Sequence, residues 1–230
     1  IGHSARNTFA LLEKKELDME AKAFAVGFRV EHPQEMINHA QYGDADMRFL
    51  PTAPYKLTAQ AKAGRGVYSF CMCPGGFVVN ASSEENRLAV NGMSYYKRDS
   101  NNANSAIIVA VTPADFPGDG ALAGVEFQRK LEEKTYALGN GKIPQQLLGD
   151  YKENRKSESY GEFASCAKGQ TAFANLRGLF QKDVEQAFLE GMECFGRKLH
   201  GFDRADAILS GVESRTSSPV RIVRDESFQS

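Results

Sequence analysis

The chain has 230 residues, 42% of them hydrophobic, and its 28 basic and 29 acidic side chains leave a formal net charge of −1. That length suffices for one substantial core, and the near-neutral charge gives no field that would attract nucleic acid or an anionic membrane. Because the longest apolar runs fall far short of the roughly 20 residues that span a bilayer, and four irregularly spaced cysteines are too few for a secreted disulfide framework, we expect a cytoplasmic protein with neither a membrane nor a nucleic-acid partner.

The first half of the chain is rich in predicted strands. A helix is expected within residues 4–17, capped by the polar residues before it. In residues 24–31, large apolar side chains alternate with small or polar ones, which is typical of a strand with one buried face. The Pro-Gly-Gly turn at residues 74–76 predicts a hairpin, and helical fragments are expected at 36–40 and 55–61. The predicted sheet comprises residues 24–31, 67–73, 77–80, 88–93 and 105–111.

The second half alternates between helix and strand. Apolar residues at steps of three and four predict amphipathic helices over residues 122–138 and 176–199. Between them, the polar and glycine-containing residues 139–168 predict a long exposed connection. Residues 208–212 and 219–223 return to strand character. We therefore predict an α+β fold, with a β-rich body that carries a helical lobe.

The glycine-rich run Gly118–Asp–Gly–Ala–Leu–Ala–Gly124 has the spacing of a dinucleotide-binding fingerprint. The fingerprint requires its first glycine directly after a strand, so that the following helix N-terminus meets the pyrophosphate. Here Pro113 and Pro117 separate the strand from Gly118. We therefore do not expect this loop to hold a nucleotide.

Cys71 and Cys73 lie two positions apart in a predicted strand, so both thiols are expected on one side of the sheet. They are candidates for redox or catalytic chemistry, or for two small side chains that pack beneath the hairpin. A disulfide between them would be strained, because alternate Cα atoms of a strand lie about 6.6 Å apart. No cysteine has a histidine near it at zinc-ligand spacing, so no metal site is predicted.

Two short segments combine guanidinium groups with hydroxyls. Gly2, His3, Ser4 and Arg6 precede or open the first helix and favour an anion, although capping alone also explains them. Arg215, Ser217 and Ser218 lie in a loop between strands, where an arginine fork can bind a carboxylate or phosphate. A surface turn whose hydroxyls bond their own backbone is the alternative for this second segment.

Five segments in order along the chain carry a resemblance to a known family. Together they resemble the large uncharacterised family of bacterial FAD-dependent dehydrogenases, across nearly the whole chain. Asn7 stands where that pattern is expected to have an aspartate, which puts a role for that carboxylate in doubt. The segments are GHSARNTF (2–9), GRGVYSFCMCPGGFVVNASSE (64–84), NGMSYYKRDSNNANSAI (91–107), LAGVEFQRKLEEK (122–134) and GVESRTSSPVRI (211–222).

The resemblance implies that glycine-rich FAD-binding motifs lie upstream and downstream of this chain, so that the chain is an internal piece of a flavoprotein. On that basis residues 1–17 are a remnant of the FAD-binding domain, 18–207 an insert domain on the substrate side, and 208–230 strands that return to the FAD-binding domain. FAD is expected in the full-length protein but not in this fragment. The two ends of the chain are expected to be neighbours close to the flavin.

Two functions follow from these expectations. The first is the substrate-side domain of an FAD-dependent oxidoreductase, inactive in isolation, whose partners are the remainder of its own flavin domain and an unknown small substrate. Its expected site residues are Cys71 and Cys73 for catalysis, Arg215, Ser217 and Ser218 for substrate, and Gly2, His3, Ser4 and Arg6 for the cofactor. The second is a non-catalytic module that docks a protein or RNA, through residues 139–168. A cleft that joins a thiol to Arg6 and Arg215 would favour the first.

Overall fold

The computed structural model describes residue 2 and residues 4–227. Within them the helices are α1 (Arg6–Lys14), α2 (Gln34–Tyr42), α3 (Ala123–Gly139), α4 (Leu148–Lys152) and α5 (Lys182–Lys198). The strands are β1 (Met19–Ala21), β2 (Phe24–Pro33), β3 (Thr58–Gln60), β4 (Gly66–Cys73), β5 (Gly76–Asn80), β6 (Val90–Ser94), β7 (Asn102–Val111), β8 (Ile143–Leu147), β9 (Thr171–Phe173), β10 (Ile208–Glu213) and β11 (Val220–Ile222).

Seven strands form one central sheet in the order β3-β4-β7-β2-β10-β8-β9. Every neighbouring pair is antiparallel except β8 and β9, which run parallel. Two further pairs stand apart from this sheet: β5 with β6, which we call the ribbon, and β1 with β11. Mixed strand and helix around one sheet confirm the predicted α+β class.

The central sheet has two chemically different faces, and β2 illustrates both. Phe24, Val26, Phe28 and Val30 belong to the main hydrophobic core, on what we call the apolar face. The alternate residues of β2 include Arg29 and Glu31, on what we call the polar face. Nearly every residue of β2 is buried, so the expectation of one buried face was wrong. The ribbon contacts β2, β7 and β10 and excludes water from the polar face.

Helix α5 covers the apolar face and packs against β3, β4 and β7. Its buried side chains repeat at Val184, Phe188, Met192 and Phe195, as the apolar spacing predicted. The helix approaches β4 closely at Gly191, where a Cβ atom would lie 2.4 Å from a methyl carbon of Val67. The helix begins at residue 182 rather than 176, and the apolar residues before it are buried without being helical.

The predicted hairpin at Pro74–Gly76 is wrong. β4 pairs with β3 and β7, whereas β5 pairs with β6 in the ribbon. The predicted single sheet therefore divides in two. Both edges of β4 are already paired, one with β3 and the other with β7. The chain therefore leaves the central sheet at Cys73 and crosses onto its polar face.

Three local expectations also differ from the structure. Residues 139–168 are an exposed connection only in part: β8 and most of α4 are buried, whereas residues 153–164 are irregular and mostly exposed. Residues 55–61 are extended and include β3 rather than a helix. Helix α1 starts after Ala5, an N-cap residue that makes no side-chain cap bond, and His3 lies outside the described residues.

The segments at the two ends of the chain lie side by side, as expected. β1 and β11 pair over Met19–Ala21 and Val220–Ile222, and the Lys22 amide donates to the Pro219 carbonyl at 2.8 Å. Phe9 of α1 packs with Val220 in one small hydrophobic cluster. Within the described residues, no helix is long and apolar enough to cross a membrane.

Candidate functional site

A buried carboxylate on α3 holds two arginines from opposite ends of the chain. Arg215 donates from Nε and Nη2 to the two carboxylate oxygens of Glu132, at 2.9 and 2.8 Å. Arg6 donates to the same oxygens from Nη2 and Nη1, at 2.8 and 3.0 Å. The Ser214 hydroxyl adds a bond of 2.7 Å to Oε1. We call these four residues the Glu132 cluster.

The charges of the Glu132 cluster determine its ionisation. Burial alone would raise the pKa of Glu132, but the hydrogen bonds and positive charges of Arg215 and Arg6 outweigh it and hold the pKa at about 2. Glu132 is therefore ionised at neutral pH. Because both guanidinium forks are engaged with this carboxylate, each arginine fixes the position of α3 relative to an end of the chain.

A shallow depression of about 310 Å³ adjoins the Glu132 cluster and is lined by Ser83, Glu84 and the residues from Ser4 to Thr8. The remaining nitrogen of Arg215, Nη1, donates to Ser83 Oγ at 2.6 Å and to Ser4 Oγ at 3.4 Å. Arg6 also binds Glu84. Ser4, Arg6 and Arg215 are thus brought together, as the resemblance implied, around a polar surface of hydroxyls and balanced charges.

A second buried ion pair lies on the polar face, under the ribbon. Arg29 Nε donates to Glu213 at 2.8 Å, and its two terminal nitrogens donate to Asn104 Oδ1, Asn91 Oδ1 and the Cys71 carbonyl. The ribbon approaches closely because residue 92 is glycine: a Cβ there would lie 2.5 Å from Arg29 Nη1. We call Arg29, Glu213, Asn91 and Asn104 the Arg29 cluster.

The two clusters meet at three consecutive residues: Glu213 belongs to the Arg29 cluster, and Ser214 and Arg215 belong to the Glu132 cluster. They differ in electrostatic balance. Burial raises the pKa of Glu213 above its ordinary value although Arg29 opposes the shift, whereas two arginines lower that of Glu132. Arg29 alone does not fully offset the desolvation of Glu213, whereas Arg6 and Arg215 together outweigh that of Glu132.

The two candidate catalytic thiols differ in environment. The strand register shifts between Phe70 and Cys73, and Cys71 has a left-handed φ of 43°. This bulge breaks the alternation that predicted both thiols on one side: Cys71 is exposed and Cys73 is buried. Burial raises the pKa of both thiols, although Arg29 opposes it. Both are therefore protonated at neutral pH, which disfavours a thiolate nucleophile.

The remaining candidate residues lie apart from the thiols. Cys73 lines a wide depression with Tyr95 and Arg98, whereas Ser218 lines one beside β11. The Ser218 hydroxyl donates to the Val220 carbonyl at 2.8 Å. This local bond fits the alternative of a turn whose hydroxyls bond their own backbone. Ser217 is half-buried and Gly2 is exposed. The predicted cleft therefore unites Arg6 with Arg215, but Cys73 opens onto a different surface.

The glycine run at residues 118–124 does not fit the dinucleotide half of FAD. A phosphate cradle needs a parallel strand that turns directly into a helix, but β7 is antiparallel to both of its neighbours. A short 3-10 turn over Pro113–Asp115 separates β7 from Gly118, and Gly124 lies against Pro219 and Phe116. The glycine run is thus no fingerprint, as the prolines predicted. Among the described residues, no three His, Cys, Asp or Glu side chains form a metal site.

Sequence reasoning missed Glu132 and Arg29, which organise the two clusters. Glu132 was overlooked because its partners are 126 and 83 positions away. A signal was present: Gln128, Glu132 and Thr135 form a polar stripe at helical spacing on α3, and all three are buried. Arg29 also carried a signal, as a lone arginine within a long run of strand-forming residues.

Comparison with known proteins gives two results. Residues 23–216 match the family model described as FAD-dependent protein, C-terminal domain-like. A protein of Clostridium beijerinckii that is described as uncharacterized is 49% identical over 234 residues. The match covers all of this chain and 44% of that protein, so the chain spans less than half the length of this relative.

Proposed function

The chain belongs to the family of FAD-dependent protein C-terminal domains, and from this premise we propose that it is the substrate-side domain of an FAD-dependent oxidoreductase of the bacterial dehydrogenase type. On this proposal the chain is inactive alone, because the flavin is held by the remainder of the protein. The flavin supplies the redox chemistry. This chain positions and encloses the substrate next to it.

The observation that carries the proposal is the pairing of β1 with β11. The family match runs from residue 23 to residue 216, and β1 and β11 lie immediately outside those two limits. Since Ala21 is paired with Val220, the segments that lead into and out of the matched region run side by side. A region whose two connections meet in this way is suited to insertion into another domain at a single point.

The Glu132 cluster supports the same proposal. Arg6 precedes the matched region, Glu132 lies inside it and Arg215 lies at its limit. Bidentate pairing of both arginines with one buried carboxylate holds these three parts of the chain in a fixed arrangement. We therefore assign the depression at Ser4–Thr8 and Ser83 to the side that faces the flavin domain. Arg6 and Arg215 shape it, and the side chains of Ser4 and Ser83 line it.

The roles of the other candidates follow from their surroundings. Arg215 anchors no substrate through its fork while Glu132 occupies it, so we propose that it positions Ser4 and Ser83 instead. Desolvation raises the pKa of both thiols, so we propose that neither reacts: Cys73 is buried and packs, whereas Cys71 is exposed and stays protonated. The flavin then needs no thiol partner from this chain.

Docking is the second candidate function, and exposed aromatic side chains favour it. Phe49, Tyr95 and Tyr96 are all exposed, and large exposed apolar groups are common where another protein binds. Within the segment 139–168, β8 lies inside the sheet, so only residues 153–164, which are mostly exposed, remain for docking.

One experiment separates the two functions, and it uses the longer relative from Clostridium beijerinckii. The region that matches residues 23–216 is deleted, and the strands matching β1 and β11 are joined by a short turn, which their pairing permits. We expect the shortened protein to stay yellow with bound FAD and to lose turnover with an electron donor and acceptor. Retained turnover would support docking, and loss of FAD would contradict the proposal that the remainder holds the cofactor.

A further inference from the structure

A groove runs between α3 and the chain segment that precedes and opens α5, on the side of α3 away from the Glu132 cluster. It consists of two adjoining cavities of about 380 Å³ each, which share Lys134 and Leu179 as lining residues. Each cavity has a volume within the range of small-molecule sites, about 300–1,000 Å³. The groove is independent of the flavin-facing depression, and nothing in the proposed function uses it.

The floor of the groove is apolar and continuous with the core. Phe127 and Leu131 of α3 line one side, and Phe180 lines the other. Phe116 lies beneath Phe127, with ring centroids 5.4 Å apart. At the far end, Leu138 is 41% exposed. A chain of methylene groups or an aromatic ring laid on this floor would be largely removed from water.

The rim of the groove is cationic. Lys130 and Lys134 are four residues apart on α3, so their side chains lie on one side of the helix, one turn apart. Neither lysine has a carboxylate or hydrogen-bond partner among residues 2 and 4–227. The acid in the lining, Asp115, is engaged by Arg65 through contacts of 2.6 and 3.1 Å. The uncompensated charge at this rim is therefore positive.

A third cation lies at the other end of the groove. Arg177 lines the second cavity and is only loosely paired with Glu185, at 3.5 Å. Its guanidinium lies over the Tyr151 ring, 5.0 Å from the centroid. An apolar floor flanked by cations complements a ligand with an apolar body and an anionic head.

We propose that this groove is a binding site for small amphipathic carboxylates, in which the aliphatic or aromatic body lies on Phe127, Leu131 and Phe180. The carboxylate lies between Lys130 and Lys134. The two ammonium groups match the two oxygens of one carboxylate, and water is excluded from the body of the ligand rather than from its head.

The test compares an anionic and an uncharged probe on the purified chain. Anilinonaphthalene sulfonate and its uncharged parent, phenylnaphthylamine, share an apolar body and become fluorescent when it leaves water. We expect the anion to bind more tightly, decanoate to displace it, and octanoate to displace it roughly tenfold less well, because two fewer methylene groups are buried.

Three variants assign the binding to the groove. In the double variant Lys130→Ala/Lys134→Ala, affinity for the anion falls about fivefold to twentyfold, while affinity for the uncharged probe is unchanged. The matched control is Lys14→Ala/Lys15→Ala, which removes two exposed lysines at the C-terminal end of α1 and changes neither affinity. In Ala114→Trp an exposed residue of the lining fills the mouth of the groove, and both probes are expelled. Thermal melts confirm that each variant is folded.

Three results would each overturn the proposal. The first is equal affinity for the charged and uncharged probes. The second is equal loss of affinity in the α3 and α1 lysine variants, which would indicate nonspecific attraction. The third is unchanged binding in Ala114→Trp, which would place the probes elsewhere on the surface.

Discussion

The two faces of the central sheet are both buried at β2, but they are stabilised there by different means. On the apolar face, Phe28 lies among the rings of Phe180, Phe188 and Tyr151, at centroid distances of 5.0 to 5.5 Å. On the polar face, one residue further along the same strand, Arg29 is fully buried and bonded to Glu213, Asn104 and Asn91. Successive residues of β2 thus lie in opposite environments, one apolar and one charged.

The difference shows how each face responds to change. Contacts on the apolar face are non-directional, so the loss of a side chain costs its buried area and the cavity that it leaves. Contacts on the polar face are directional and charged, so the loss of one partner leaves the others desolvated without compensation. The polar face adds constraints on which elements lie next to each other, since Arg29 takes its side-chain partners from β6, β7 and β10.

The most severe test of the apolar face is Phe188→Ala. Phe188 is almost completely buried and contacts the rings of Phe28 and Tyr151. We expect the free energy of unfolding to fall by about 4 to 5 kcal/mol, measured by urea denaturation. Leu11→Ala serves as the control, because Leu11 is exposed on α1, and it should change stability by less than about 1 kcal/mol. A similar loss in both variants would contradict the central place of α5.

The corresponding test of a buried ionic contact is Glu132→Gln in the Glu132 cluster, which keeps the shape of the side chain and removes its charge. Arg215 then remains buried without a counter-charge, and Arg6 keeps only its pairing with Glu84, so we expect a loss of about 3 to 4 kcal/mol. The neighbour Glu133 pairs with Arg87 at the surface, so Glu133→Gln should cost under about 1 kcal/mol.

The same carboxylate predicts an acid dependence. The pKa of Glu132 is about 2 when folded, against an ordinary value of 4.5. Its contribution to stability is therefore present above pH 4.5 and is lost as the pH falls towards 2. Glu132→Gln should flatten this part of the stability curve, and a variant curve parallel to that of the wild type would show that Glu132 is not the group responsible.

A double-mutant cycle sharpens the contrast within the Arg29 cluster. Arg29→Met leaves the Glu213 carboxylate buried and unpaired, and should cost about 3 kcal/mol. Adding Glu213→Leu should recover stability rather than remove more, with a coupling of about 2 kcal/mol. Additive losses in chemical denaturation would mean that the two side chains do not act as a pair.

The smallest expected effect concerns His32, a titratable residue of β2 that packs against Phe202 of the apolar core. His32 Nε2 donates to the Phe202 carbonyl at 2.7 Å, and Nδ1 has no partner among the described residues. Burial lowers its pKa from 6.5 to about 4. Between pH 6.5 and about 4, the imidazole is protonated in the unfolded chain but not in the folded one. The free energy of unfolding therefore falls by about 2 to 3 kcal/mol as the pH drops through this interval. His32→Gln keeps a donor to Phe202 and should lose this dependence; an unchanged pH profile would contradict it.

Long elements with strong periodicity were predictable from the sequence, and strand partners were not. β2, β7, β10, α3 and α5 follow from local spacing alone. The β4–β5 hairpin was wrong because partner choice depends on β7 and on the bulge at Cys71, which lie outside the local pattern. β8 was missed because Gln145 and Gln146 look exposed, yet both are buried through bonds to side chains such as Ser210 and Asn175.

The site was predictable only in part, for the same reason. The resemblance brought the segments of Arg6 and Arg215 together, and the structure joins them through Glu132. No local pattern indicated that a helix in the middle of the chain would supply that carboxylate. The thiols attracted attention by their residue type, but their chemistry depends on burial, which spacing alone does not give.

The pairing of β1 with β11 also determines how the chain responds to mechanical force. The outer ends of both strands, at Met19 and Ile222, lie at the same end of the ladder, and the Val223 amide donates to the Asp18 carbonyl just beyond them. A pull applied through the two flanking segments would load these hydrogen bonds one after another, as in opening a zipper. It would not shear them all at once. The short ladder would therefore yield at low force and absorb the displacement, while the seven-stranded sheet behind it stays intact.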